Sequence, residues 1–158
     1  MKQLSRKELY VIGILVLFSM CLLVYPLLQA QHLYDIEKVN TVFQTVSKQR
    51  QMEKKDSAFI RRSYQLNEDA YRNAYIYGHK GAMEVEEIAV FEVDNQQREA
   101  VISACEKHIA MLKQSFDGYG LTQMEVLNQA KIKQYGNVIV CMITKDADSL
   151  LQESEAAL

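Results

Sequence analysis

The chain has 158 residues, of which 49% are hydrophobic, and its 18 basic and 20 acidic side chains give a net charge of −2. This length predicts one small domain, and the near-neutral charge excludes the basic surface that nucleic-acid binding requires. Six glycines, one proline and no tryptophan exclude a collagen-like or low-complexity chain.

An uncharged, apolar run extends from Leu9 to Leu28 near the start of the chain. As a helix with a rise of about 1.5 Å per residue it would span roughly 30 Å, the thickness of the bilayer hydrocarbon. Basic residues precede the run, so the positive-inside rule places residues 1–8 in the cytoplasm and the remainder outside. Residues 9–28 are therefore predicted to be an uncleaved, single-pass anchor in the cell membrane, with Tyr10 near its cytoplasmic end.

Two alternatives for this segment remain open. Leu28-Gln29-Ala30 distantly resembles the cleavage site of a secretory signal peptide. Cys21 would be the acylated residue of a lipoprotein signal, but Met20 stands where a small residue is needed.

The part of the chain predicted to be exported is acidic. Without Lys2, Arg6, Lys7 and Glu8 it holds 15 basic and 19 acidic residues, a net charge of −4. This charge disfavours binding to anionic lipids or anionic wall polymers.

Residues 29–55 are predicted to form a helical stalk or linker. Ile36, Val39, Phe43 and Val46 recur at spacings of three and four, which places them on one narrow apolar stripe of a helix. The stripe permits self-association of the stalk or its docking onto the following domain.

The remainder, residues 56–158, is predicted to be an extracytoplasmic α+β domain. A short amphipathic helix covers 58–64, and two strands lie between Tyr71 and Val93 with a turn at 78–81. The second of these strands is expected over 84–93. Its apolar residues fall on both faces, as in a strand covered on both sides.

A long helix should begin at a cap formed by Asp94 or Asn95 and end at Asp117-Gly118. A short helix over 122–129, strands over 131–135 and 137–144 and a closing helix from Asp146 follow. This order predicts a small antiparallel sheet packed on one long helix.

Cys105 and Cys141 are the two cysteines of the predicted exported part. A disulfide between them is compatible with an extracytoplasmic location. Both also fall on apolar stretches, so two buried thiols are an equally good interpretation.

Three runs of the sequence resemble a bacterial family catalogued as domain of unknown function 4358. They are residues 86–91, 116–119 and 136–140, and the resemblance covers about residues 52–148. Members of that family look like small envelope proteins of Gram-positive anaerobes, held by a transmembrane helix or a lipid. The resemblance therefore implies a location and a fold but no activity.

The chain lacks the sequence motifs of phosphate-binding loops, zinc sites and serine hydrolases. Neither a catalytic residue nor a metal ligand nor a cofactor is predicted. Glu86 and Glu87 belong to an acidic cluster in which Glu84 and Glu86 would share one strand face. Such a pair suits a hard cation or acid–base chemistry, or it is a solvated strand end.

Tyr71, Tyr75 and Tyr77 are the other candidate binding residues. Tyrosines outside the membrane can stack on sugar rings or anchor a protein partner, or they can be ordinary sheet packing. His79 falls in the predicted turn, and His108 at the edge of the apolar stripe of the long helix. His108 is interpreted as a partly buried helix residue.

Three functions are compatible with these features. The first is a non-enzymatic interaction or scaffold module of the cell envelope, with an envelope protein or a second copy as its partner. The second is a module that binds a small ligand or glycan through its tyrosines. The third is an envelope hydrolase that uses Glu86 or Glu87.

Overall fold

The computed structural model describes residues 15, 18–20 and 33–157 of the chain. The chain divides into two compact units, Met1–Gln31 and His32–Leu158. Within the first unit, residues 15 and 18–20 are helical. The predicted anchor residues Leu9, Tyr10 and Leu28, and the candidate lipidation site Cys21, lie outside the described residues. Among the residues described, no helix is both long and apolar enough to cross a membrane.

The second unit is an α+β domain built on an antiparallel sheet, which confirms the predicted fold class. The strands lie in the order β1-β2-β3-β5-β4, and each neighbouring pair is antiparallel. The strands are β1 (Glu53–Lys54), β2 (Asn73–Gly78), β3 (Glu87–Glu92), β4 (Lys131–Tyr135) and β5 (Val138–Ile143). The helices are α1 (Ile36–Gln49), α2 (Ser57–Ser63), α3 (Arg98–Phe116), α4 (Leu121–Asn128) and α5 (Ala147–Ala157), with a 3-10 turn at Glu68–Ala70.

The two most apolar strands, β3 and β5, pair with each other in the middle of the sheet. All six residues of β5 are buried, which confirms that this strand lies at the centre of the core. Apolar side chains cover the sheet on both faces. One face packs against α2, α3 and α4, and the other against α1 and α5.

Helix α1 is docked on the sheet of the second unit. Val39 and Phe43 have no exposed surface and pack against Ile88 and Val90 of β3. The apolar stripe is buried because the otherwise bare second face of the sheet lies directly beneath it. The docked arrangement that the sequence left open is the observed one.

Two other predicted boundaries need correction. The strand expected over 84–93 begins only at Glu87, so Glu84 and Glu86 lie in the preceding loop and share no strand face. Helix α3 begins at Arg98, later than the predicted cap at Asp94 or Asn95 requires, and the Asp94 carboxylate pairs with Arg72 at 2.6 Å. The two-residue strand β1 was not predicted, since it is too short to carry an alternating pattern.

The cysteines Cys105 and Cys141 are both free and fully buried. They belong to the same apolar cluster, between α3 and β5. A hydrogen bond with Cys105, together with burial, raises the pKa of the Cys141 thiol well above its ordinary value. Of the two interpretations, buried thiols are therefore the one observed.

Candidate functional site

A cleft of about 330 Å³ opens at the end of the sheet where β2 ends and β3 begins. Phe59 and Ser63 of α2 line one side, the loop 79–86 lines another, and Leu112 of α3 lines a third. Gly78 lies between the side chains of Lys55 and Glu87. A Cβ atom at this position would lie only 3.3 Å from the Lys55 side chain, so the absence of a side chain at Gly78 leaves room for Lys55. The cleft has the size of a small-molecule site.

The cleft has a polar floor built from residues far apart in sequence. Glu87 begins β3 and points to the same face of the sheet as Ala89 and Phe91, because side chains alternate along a strand. Only 6% of Glu87 is exposed, and its carboxylate accepts a hydrogen bond from the hydroxyl of Tyr64. The imidazole of His108, 5% exposed, lies against the Tyr64 ring with a centroid separation of 4.4 Å.

Glu87 and His108 are in contact without a hydrogen bond between them. His108 Nε2 lies 3.3 Å from Glu87 Oε1, yet the ring is not oriented to donate to that oxygen. Within residues 33–157, Nε2 has no hydrogen-bond partner although it is buried. A buried polar atom without a partner is costly.

The electrostatics of this cluster keep Tyr64 protonated. Burial raises the pKa of its hydroxyl well above the ordinary value, and the negative charge of Glu87 raises it further. The hydroxyl therefore stays a donor to the Glu87 carboxylate. A hydrogen bond to an ionised group in a buried site is stronger than one between neutral groups.

A second cavity, of about 460 Å³, adjoins the cleft along the loop 79–86. His79, Glu84, Val85 and Glu86 line both cavities. Thr122, Gln123 and Val126 of α4 form its far side, and the Gln123 amide donates to the Met83 carbonyl oxygen at 2.9 Å. The loop is thereby tied to α4 and separates the two cavities.

Glu86 takes part in a network of charges at the rim of the cleft. Arg50, which follows α1, lies 3.2 Å from Glu86 and 2.5 Å from Asp146, while His79 Nε2 lies 3.7 Å from the other Glu86 oxygen. Partial burial opposes ionisation of Asp146, but the hydrogen bond and charge of Arg50 outweigh it and lower its pKa. Glu86 therefore holds the loop 79–86 against α1 and α5.

The three candidate tyrosines do not form one surface. Tyr77 is buried and donates to Asn40 Oδ1 of α1 at 2.7 Å. Tyr75, half-buried on the same face, donates to Glu37. Tyr71 packs on the opposite face, its ring 5.9 Å from that of Phe91. All three pack against the apolar clusters on the two faces of the sheet.

Of the candidate residues from the sequence, Glu86 and Glu87 lie at the cleft, on its rim and floor respectively. Tyr64 and His108 were missed as partners of Glu87. One signal for them was present, because His108 lies on the buried stripe of α3 and Glu87 on the core-facing alternation of β3. In the described part of the chain no group of three or more His, Cys, Asp or Glu side chains is placed to hold a metal ion.

The fold and the cleft together define a small α+β domain with a polar-floored cavity at one end of its sheet. A family model described as Domain of unknown function (DUF4358) matches residues 44–144. Since this match covers more than half of the chain, the protein belongs to that family, as its sequence runs indicated. No curated protein and no solved structure gives a significant match.

Proposed function

We propose that this protein is a membrane-tethered, extracytoplasmic binding module without a catalytic role, and that it binds its ligand in the cleft above Glu87 and His108. The observation that carries the proposal is the floor of the cleft. The buried side chains of Glu87 and His108 both line a cavity of about 330 Å³, and His108 Nε2 has no hydrogen-bond partner within residues 33–157. Buried polar groups that converge in a cavity of this size are typical of ligand sites.

The tether in this proposal is the apolar run from Leu9 to Leu28. Its described residues Leu15, Phe18 and Met20 are helical and carry exposed apolar side chains. An apolar helix that leaves such side chains exposed in water is unfavourable, whereas in a bilayer they are solvated.

The chain enters the second unit at the end of the sheet remote from the cleft. The backbone N–H of Tyr34 donates to Asn137 Oδ1, beside the pairing of Val138 with Glu92. The cleft lies at the other end, where Glu87 pairs with Gly78 and Ile143. The first described residues of the second unit and the cleft thus lie at opposite ends of its sheet.

Site-specific photocrosslinking in intact cells tests the proposal. A photoreactive amino acid at Lys80, on the exposed rim of the cleft, should give a defined adduct of the full-length protein in the membrane fraction, identified by mass spectrometry. The same residue at Glu153, on α5 against the opposite face of the sheet, is the matched control. Equal adducts from both positions, or recovery of the protein outside the membrane fraction, would contradict the proposal. Once the ligand is identified, its hydrolysis by the unaltered protein, abolished by Glu87→Gln, would instead identify a carboxylate-dependent hydrolase.

A further inference from the structure

The loop 79–86, which forms one wall of the cleft, has few buried contacts of its own. Residues 80–84 are exposed, and Val85 is its buried residue, at 8% exposure. Within the loop the backbone N–H of Glu84 donates to the Gly81 carbonyl oxygen at 3.1 Å, which closes a turn. Segments with few buried contacts open locally at a low cost in free energy. The position of this wall therefore depends on the contacts that neighbouring segments make with it.

Three of those contacts come from one short segment, residues 50–55, which follows α1 and includes β1. They are the hydrogen bond from the Lys55 ammonium to the His79 carbonyl oxygen at 2.6 Å, the ion pair of Glu53 with Lys80 at 2.8 Å and the ion pair of Arg50 with Glu86 at 3.2 Å. The loop is thus fastened near both of its ends to the same stretch of chain. Because Lys55 and the loop line the same cleft, separation of the loop from this stretch would widen it.

Residues 50–55 are joined firmly to the end of α1. The backbone N–H of Arg50 donates to the Val46 carbonyl oxygen at 3.1 Å, and that of Met52 donates to the Ser47 carbonyl oxygen at 2.9 Å. The Met52 side chain is buried in the apolar cluster that contains Phe43 of α1. Displacement of α1 from the sheet would therefore displace this segment as well and break its contacts with the loop.

The guanidinium of Arg50 joins three parts of the domain. One of its nitrogens lies 3.2 Å from Glu86 and another 2.5 Å from Asp146, so it links the end of α1 to the loop and to the start of α5. The side chains of Arg50 and Glu86 are 23% and 27% exposed, and partly exposed ion pairs are individually weak. The loop is therefore fastened by contacts that can be released without unfolding of the core.

We propose that residues 50–55 act as a strap that holds the loop 79–86 over the cleft, so that the width of the cleft depends on the docking of α1. This inference rests on the proposed function, because it concerns regulation of the same cleft. While α1 is docked the strap keeps the cleft narrow, and undocking of α1 opens it. By linkage, a ligand that fits only the narrow cleft stabilises the docked α1, and loosening of α1 weakens that ligand by the same factor.

Amide hydrogen exchange of the full-length protein in detergent micelles, measured by mass spectrometry, tests the strap. Arg50→Ala removes two ion pairs and should accelerate exchange of the amides in 79–86 about threefold to tenfold. Arg72→Ala is the matched control, since it removes the 2.6 Å ion pair with Asp94 at the other end of the sheet, and it should leave exchange in the loop unchanged. An unchanged loop in Arg50→Ala, or equal acceleration by the two substitutions, would overturn the proposal.

The dependence on α1 is tested by a second pair of variants. Val46→Ala shortens a half-buried side chain on the apolar stripe of α1 and should accelerate exchange in α1 and in the loop together. Ile102→Ala, at a half-buried position of α3 on the opposite face of the sheet, should leave exchange in the loop unchanged. A loop that is unaffected by Val46→Ala would show that it is independent of α1. A rim-specific adduct at Lys80 would then still support the proposed function, whereas equal adducts at Lys80 and Glu153 would contradict it whatever the loop does.

Discussion

Glu86 and Glu87 are neighbours in sequence, yet their carboxylates serve opposite sides of the sheet. Glu86 meets Arg50 at 3.2 Å on the side of α1, whereas Glu87 accepts the Tyr64 hydroxyl on the side of α2 and α3. The strand begins between them, so one carboxylate lies at the surface and the other within the core. Four predictions concern the contacts that hold this arrangement and the domain around it.

Tyr64→Phe should reduce the free energy of unfolding by about 1–3 kcal/mol, because it leaves the buried Glu87 carboxylate without its donor. Chemical denaturation of the full-length protein measures the change. Tyr75→Phe is the matched control, since the Tyr75–Glu37 hydrogen bond is at the surface, and it should cost less than about 1 kcal/mol. Equal effects of the two substitutions would show that the buried position of the Tyr64 hydrogen bond is unimportant.

Phe43→Ala should reduce the free energy of unfolding by about 3–5 kcal/mol, as expected for truncation of a fully buried phenylalanine. Gln44→Ala, at the next position on the exposed side of α1, should change it by less than about 0.5 kcal/mol. Denaturant melts of both variants distinguish a docked helix from a free stalk. A free stalk predicts that neither substitution matters.

Gln51→Gly should stabilise the protein by about 1 kcal/mol. Gln51 has a φ of +57°, in the left-handed region that is unfavourable for residues with a Cβ atom and accessible to glycine. Gln44→Gly, in the interior of α1, should have the opposite sign and cost about 1 kcal/mol. Thermal unfolding of the two variants tests this reversal, and a loss of stability in Gln51→Gly would refute it.

The stability that Arg50 and Asp146 contribute should depend on pH. The pKa of Asp146 is lowered in the folded protein. Its contribution is therefore present above the unfolded pKa of about 3.9 and is lost as the pH falls through the lower, folded value. Because Asp146 is 44% exposed, Asp146→Asn should cost less than about 1 kcal/mol at pH 7. The difference in the free energy of unfolding between Asp146→Asn and the unaltered protein should vanish near pH 2. Denaturation at a series of pH values measures it. A difference that persists there would assign the effect to something other than ionisation.

Most of the secondary structure follows from local patterns. The unbroken apolar run of β5 predicts a central strand, and residues 98–116 show the helical spacing of α3, which glycine ends at Gly118 with a φ of +81°. Gly136, with a φ of +53°, likewise supplies the predicted turn between β4 and β5. Such patterns are readable because periodicity and glycine conformations depend on residues close together in sequence.

The start of α3 and the start of β3 could not be predicted in the same way. Asp94 is a good cap by type, but Arg72, more than twenty residues away, engages its carboxylate. Glu84 and Glu86 extend the pattern of β3, but Arg50 and His79 hold Glu86 in the loop. Both side chains thus have partners distant in sequence, and a single sequence does not reveal them.

The sequence by itself determined the α+β class, the family and the apolar segment near the start of the chain. Only the tertiary structure decided that α1 docks on the sheet and that Glu87 and His108, each in contact with Tyr64, meet at the floor of a cleft. The reason is the distance over which each effect acts. Hydrophobic patterning is local, whereas a site assembled from α2, β3 and α3 exists only after strand pairing and helix packing bring those elements together.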